Sequence, residues 1–299
     1  MRGVPLAGRF WGTVALVACG LGLPVSSRGT AAERHLTAKQ VFESKEVVIF
    51  HDDFRSGGLE KWNLSEDDRY RLGRADPERL RVQGAPGLAG DRKAVRFSVP
   101  RAADSFRAEL SLPSEQGFNE RWYGESLLVP EDWVFDAAKG HDIVMQWHAV
   151  PGNGRATYPN LAISIQDSHW FIQQNFGATE RKATRVKRKL DEPVRRGAWL
   201  AWVVHAKWSP RDDGLIEIWL DGKRVVEIKG PNVYTTIGVE YTPYLKTGIY
   251  HPAWHLDVPA KRAAFAQEVP TVTSKVVWVA EVRIGRAQAT YADVVPRLK

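Results

Sequence analysis

Leu215-Ile216-Glu217-Ile218-Trp219-Leu220, then Asp221-Gly222, then Lys223-Arg224-Val225-Val226-Glu227-Ile228 is the stretch that decides the fold. Apolar residues concentrate at every second position before the turn, the period of a half-buried strand. Asp-Gly suits the left-handed backbone of a tight hairpin turn. Working outward, strand-like segments recur at short spacing: Val95–Val99, Arg107–Leu112, Leu127–Val129, Asp142–Val150, Asn160–Gln166, Trp170–Phe176, Trp199–Trp208 and Lys275–Ile284. Leu127-Leu128-Val129 is a continuous apolar run, the pattern of a strand buried on both faces. Helical periodicity is nearly absent, apart from a segment at Ala260–Gln267. About ten strands separated by Gly, Pro and Asp turns predict an all-β, concanavalin A-like β-jelly-roll sandwich, a single domain over residues 47–299.

Residues 1–32 read as an export signal: Arg2 and Arg9 are followed by a short apolar stretch, Phe10 to Ala18, and by small residues at Thr30-Ala31-Ala32. That stretch is too short for a spanning helix, which needs about 20 residues. Leu16-Val17-Ala18-Cys19-Gly20 also resembles a bacterial lipobox, in which Cys19 would carry a lipid anchor. Free secretion and anchoring at the cell surface or in the periplasm both fit, and both make the mature chain extracytoplasmic. Residues 33–46 are polar, a linker or one short helix. Cys19 is the only cysteine, so the body has neither a thiol nucleophile nor a cysteine zinc site.

The formal charge is +7, and much of the excess lies in Arg181, Lys182, Arg185, Lys187, Arg188, Lys189, Arg195 and Arg196. On an exported chain, such a run points to an anionic polymer outside the cytoplasm rather than to nucleic acid. A solvated loop is the plainer reading of the same residues. The chain is expected to act as a monomer. Most of the twelve Trp are expected in the core; the others could stack on sugar rings.

Three strings carry the chemistry: Arg107-Ala108-Glu109-Leu110, Gln146-Trp147-His148 and Tyr244-Leu245-Lys246-Thr247-Gly248-Ile249-Tyr250. Side chains two apart on a strand share a face. Arg107 therefore goes with Glu109, Gln146 with His148, and Tyr244 with Lys246, Gly248 and Tyr250. Gly248 is expected to leave an open spot where a ligand can lie close to the backbone. Such a surface can hold a carboxylate and move a proton. It lacks the paired carboxylates of glycoside hydrolysis and suits β-elimination from a uronic-acid polymer.

These strings resemble the signature segments of the alginate lyase type of jelly-roll polysaccharide lyases. Asp52-Asp53-Phe54 to Trp62, Trp122 to Leu127, Pro130-Glu131-Asp132-Trp133, and Trp199 to Trp208 before Asp221-Gly222 resemble the heparin lyase I and glucuronan lyase branch still more. Trp147, where alginate-type enzymes carry Ile or Val, points away from alginate, and the branch resemblance implies a glucuronan- or heparin-like polymer. Arg107 has a planar fork matched to the substrate carboxylate, and Gln146 adds a neutral donor. Glu109 orients Arg107, and His148 could serve as base. The resemblance makes Tyr250 the catalytic tyrosine, donating to O4 and, where both groups share a ring face, also taking the C5 proton. Acting as a base would require a nearby cation, which Lys246 could supply. The expected catalytic set is thus Arg107, Gln146, His148 and Tyr250, with Glu109, Trp147, Tyr244, Lys246 and His251 as substrate-binding residues.

His251 and His255 have metal-like spacing, but Pro252 opposes the helix that such a pair needs. No metal site and no required cofactor are read from the sequence; a structural calcium held by carbonyls would leave little trace in it. The competing readings are a non-catalytic carbohydrate-binding sandwich and a surface protein gripping polyanions through residues 181–196.

Overall fold

Asp221 and Gly222 sit at φ 50° and φ 86°, the left-handed pair required by a type I′ hairpin turn. The computed structural model describes residues 37–62, 78–102, 105–135, 140–149, 158–235, 241–256, 259–267 and 272–298. The export segment expected at 1–32 lies outside them. Among the described residues the strands are β1 (Val48–Asp52), β2 (Leu80–Gly84), β3 (Lys93–Pro100), β4 (Arg107–Ser111), β5 (Glu115–Gln116), β6 (Glu120–Leu128), β7 (Asp142–His148) and β8 (Pro159–Gln166). They continue as β9 (His169–Gly177), β10 (Ala183–Pro193), β11 (Trp199–Lys207), β12 (Leu215–Leu220), β13 (Lys223–Lys229), β14 (Tyr241–Thr242), β15 (Tyr244–Tyr250) and β16 (Ser274–Gly285). Helices are short: α1 (Ala38–Phe42), α2 (Pro259–Gln267) and α3 (Tyr291–Val294). α1 falls inside the segment expected as linker or helix, and α2 coincides with the helical spacing at Ala260–Gln267.

The strands form two principal antiparallel sheets. The larger runs β13-β12-β11-β6-β16-β3-β2, with β1 also on β16; the smaller runs β10-β9-β8-β7-β15-β4. This is the all-β sandwich that the sequence predicts.

The core between the sheets is strongly aromatic. Trp170 of β9 meets Trp202 of β11 edge-on at 5.0 Å, and Tyr123 of β6 meets Trp147 of β7 at 5.3 Å. Trp62, Trp133, Trp208, Trp254 and Trp278 are buried as well, so most tryptophans are packing residues. Buried polar contacts also cross the sandwich, among them the Thr247 hydroxyl donating to Glu125 Oε1 at 2.8 Å. Burial pushes the Glu125 carboxyl up to about 8.

The basic run behaves differently from a solvated loop. Ala183–Pro193 is an eleven-residue edge strand, hydrogen-bonded along β9.

Candidate active site

Register across three strands of the smaller sheet assembles the site. On one side of β15, Tyr250 lies opposite Arg107 and Gly248 opposite Glu109; on the other side, Lys246 lies opposite Gln146 and Tyr244 opposite His148. Ala108, Leu110, Trp147, Leu245, Thr247 and Ile249 turn inward and are buried. Alternation therefore places Arg107, Glu109, Gln146, His148, Tyr244, Lys246 and Tyr250 on the outer face of the sheet. The same alternation corrects the expectation for Trp147. Its side chain is fully buried against Tyr123, so it belongs to the core and touches no substrate.

Glu109 is the hub of the face. Its carboxylate takes a hydrogen bond from the Gln146 amide, lies 3.3 Å from Lys246 Nζ and 3.5 Å from Arg107 Nη1. Burial alone would raise this carboxyl, but the charges of Lys246 and Arg107 and the Gln146 hydrogen bond hold it below the usual range. Glu109, Gln146 and Lys246 are all buried. Lys246 is thus committed to Glu109, and the cation beside Tyr250 is Arg107 instead. The Arg107 guanidinium carbon stands 4.5 Å from the centre of the Tyr250 ring. Phe106 meets that ring edge-on at 5.8 Å.

His148 is a neutral imidazole. Its Nδ1 lies 2.8 Å from the Ala149 carbonyl oxygen; a carbonyl can only accept, so Nδ1 carries the hydrogen and Nε2 keeps its lone pair. Burial, with the positive field of Lys246, pulls the ring down to about 4. Its ring neighbour is Tyr244, at 5.8 Å. Tyr250 lies six residues further along β15, up to about 20 Å of extended strand.

Two more expectations change. His251 is buried, with Nδ1 2.7 Å from Asp142 Oδ1, while Lys275 Nζ reaches Asp142 Oδ2 at 3.1 Å. Following outward-facing Tyr250, it turns inward and braces the end of β15 rather than lining a sugar subsite. Pro252–Trp254 forms one 3₁₀ turn between His251 and His255. Gly248 has φ 131° at a bulge in the β15–β7 register. A Cβ there would meet the Ala108 carbonyl and come within 2.7 Å of Phe97 Cδ1. The glycine therefore permits close packing against the core, not an opening over the outer face. Sequence reasoning assigns no role to Asp142, Lys275 and Glu125; β6 also holds Glu120 and Arg121, and β16 Glu281 and Arg283, so residue type alone does not mark the buried ones. Among the described residues no group of three or more His, Cys, Asp or Glu is placed to hold a metal ion.

A family model described as "Polysaccharide lyase" matches residues 54–283. The chain belongs to the polysaccharide lyase family. The matched span contains all of the outer-face residues named above, so the lyase carries its candidate site within the family region. The lyase is similar in fold to the endo-β-1,4-glucuronan lyase of the fungus Trichoderma reesei. That similarity has a TM-score of 0.61 at 24% identity, covering 83% of this chain and 98% of the other. More distant similarity extends to an alginate lyase of Pseudomonas aeruginosa (TM-score 0.43, 14% identity, 78% and 88% covered). It also extends to the cellulose-induced protein Cip1 (TM-score 0.46, 14% identity, 79% and 96% covered). A search of curated protein sequences returned no match.

Proposed function

We propose that this lyase cleaves a glucuronate-containing polysaccharide by β-elimination on the outer face of the smaller sheet. The observation that carries the proposal is the Arg107–Tyr250 contact. Arg107 neutralises the carboxylate on C5, so that charge developing as the C5 proton leaves is stabilised. The same cation supplies the positive charge that a tyrosine base requires. Tyr250, as phenolate, takes the C5 proton; the C4–O4 bond breaks, a C4–C5 double bond forms, and the phenol returns its proton to O4.

Sugar stereochemistry favours glucuronate over its C5 epimer. Mannuronate shares the arrangement at C4 and C5, and the resemblance to the glucuronan lyase branch favours glucuronate over it. In a 4-linked glucuronate the C5 hydrogen and O4 lie on the same ring face, so one tyrosine can serve both transfers. In the C5 epimers they lie on opposite faces, and a separate base is required. The register that sets His148 against Tyr244 rather than Tyr250 supports the one-residue route, with His148 Nε2 accepting a hydroxyl hydrogen from a neighbouring sugar. Neutral His148 also favours a second reading, in which His148 is the base and Tyr244 the acid for a C5-epimeric uronate. The signal-like pattern of residues 1–32 supports action outside the cytoplasm.

The test is a panel of polyglucuronate, polymannuronate and polyguluronate followed by ultraviolet absorbance of the unsaturated product. The expected result is fastest turnover of polyglucuronate. Preference for polyguluronate would replace the first reading with the second.

A further inference from the structure

β10 carries its basic residues on a defined face. Arg185, Lys187 and Lys189 lie opposite Asn175, Gln173 and Phe171 of β9. Gln173 lies opposite Ala162 of β8, Ala162 opposite Gln146 of β7, and Gln146 opposite Lys246 of β15. One row of the sheet therefore runs Lys187, Gln173, Ala162, Gln146, Lys246, and register carries Lys187 onto the same outer face as the candidate site. Side-chain contacts agree. Lys187 Nζ stands 4.7 Å from the Phe171 ring centre, and the Arg185 guanidinium carbon 4.1 Å from that of Tyr158. The alternate β9 residues Trp170 and Ile172 are fully buried inside the sandwich, and Arg188, opposite Ile172, belongs to that other side of β10.

Five strand spacings separate β10 from β4, roughly 24 Å across the sheet. The named residues between are uncharged at positions 162, 171 and 173. A polyanion lying across the strands with one carboxylate on Arg107 would bring later carboxylates to β10, whose three cations on this face are exposed. Lysines also protect sheet edges from pairing, but that role does not depend on which face they occupy.

We propose that Arg185, Lys187 and Lys189 form a distal cationic subsite that holds carboxylates of the same polyuronate chain several sugars from the Arg107–Tyr250 end. The proposal rests on the polyuronate-lyase reading above. Its test is binding rather than turnover. In a Tyr250→Phe background, affinity for end-labelled long-chain polyglucuronate and for its trimer is measured by fluorescence anisotropy at low ionic strength. Lys187→Gln/Lys189→Gln is compared with Arg188→Gln/Lys229→Gln, which removes the same charge from the other side of β10 and from β13 of the larger sheet.

The first pair is expected to weaken long-chain binding roughly tenfold, as the loss of two partly screened ion pairs would. It should leave trimer binding within about twofold, and added salt should erase the difference. The control pair should cost less than about threefold. Equal losses in the two pairs, an equal loss on the trimer, or no loss at all would overturn the subsite. If the wild-type protein turns over no polyuronate but the face-specific loss is seen, the subsite stands and the elimination mechanism falls.

Discussion

The Arg107 guanidinium lies over the ring of Tyr250, 4.5 Å from its centre, while also reaching the Glu109 carboxylate at 3.5 Å. One cation thus faces both the proposed acid–base residue and the buried hub of the site. Arg107→Lys keeps the charge but loses the planar fork that matches a carboxylate. Turnover on polyglucuronate is expected to fall at least about tenfold with KM raised, and Arg107→Ala to fall further in both kcat and kcat/KM. Steady-state kinetics on the two variants check this; an unchanged KM in Arg107→Ala would remove Arg107 from carboxylate binding.

His148 titrates at about 4, below the usual 6.5, because burial and the Lys246 charge disfavour its protonated form. The folded state thus resists a proton that the unfolded state accepts. The associated stability is fully present above pH 6.5 and is lost as pH falls toward 4. A histidine NMR titration, assigned by the signal missing in His148→Gln, should show this midpoint near 4. A midpoint near 6.5 would contradict the buried neutral ring.

Glu125 has the opposite sign. Its carboxyl is pushed up to about 8 by burial beneath Thr247. The stability it contributes is present in full below pH 4.5 and lost as pH rises through 8. Glu125→Gln keeps an acceptor for Thr247 without a titrating proton. Denaturant unfolding from pH 4.5 to 8 should show the wild type losing on the order of a few kcal/mol relative to this variant. Parallel stability curves would show that Glu125 is not protonated in the folded state.

Much of this arrangement is legible along single strands. The alternation before Asp221-Gly222 gives the hairpin, and two-residue spacing places Arg107 with Glu109 and Gln146 with His148 on shared faces. That spacing also sends Trp147 inward, which its residue type as a sugar-stacking aromatic obscured. β10 has no apolar period, since charged residues occupy both faces of an edge strand, and so it reads as a loop. Register between distant strands is not written in either strand alone. The pairing of His148 with Tyr244, the capture of Lys246 by Glu109 and the inward turn of His251 toward Asp142 appear only once β4, β7 and β15 are side by side.

The most direct measurement counts two products together. Polyglucuronate is incubated with wild-type, Tyr250→Phe and Tyr244→Phe proteins, and new reducing ends and ultraviolet-absorbing unsaturated ends are quantified in parallel. β-Elimination at Tyr250 predicts one unsaturated end for every reducing end in the wild type, and a fall of both by about two to four orders of magnitude in a folded Tyr250→Phe protein. Tyr244→Phe should retain most activity. Reducing ends without unsaturated ends, or a Tyr250→Phe protein as active as the wild type, would contradict elimination by Tyr250.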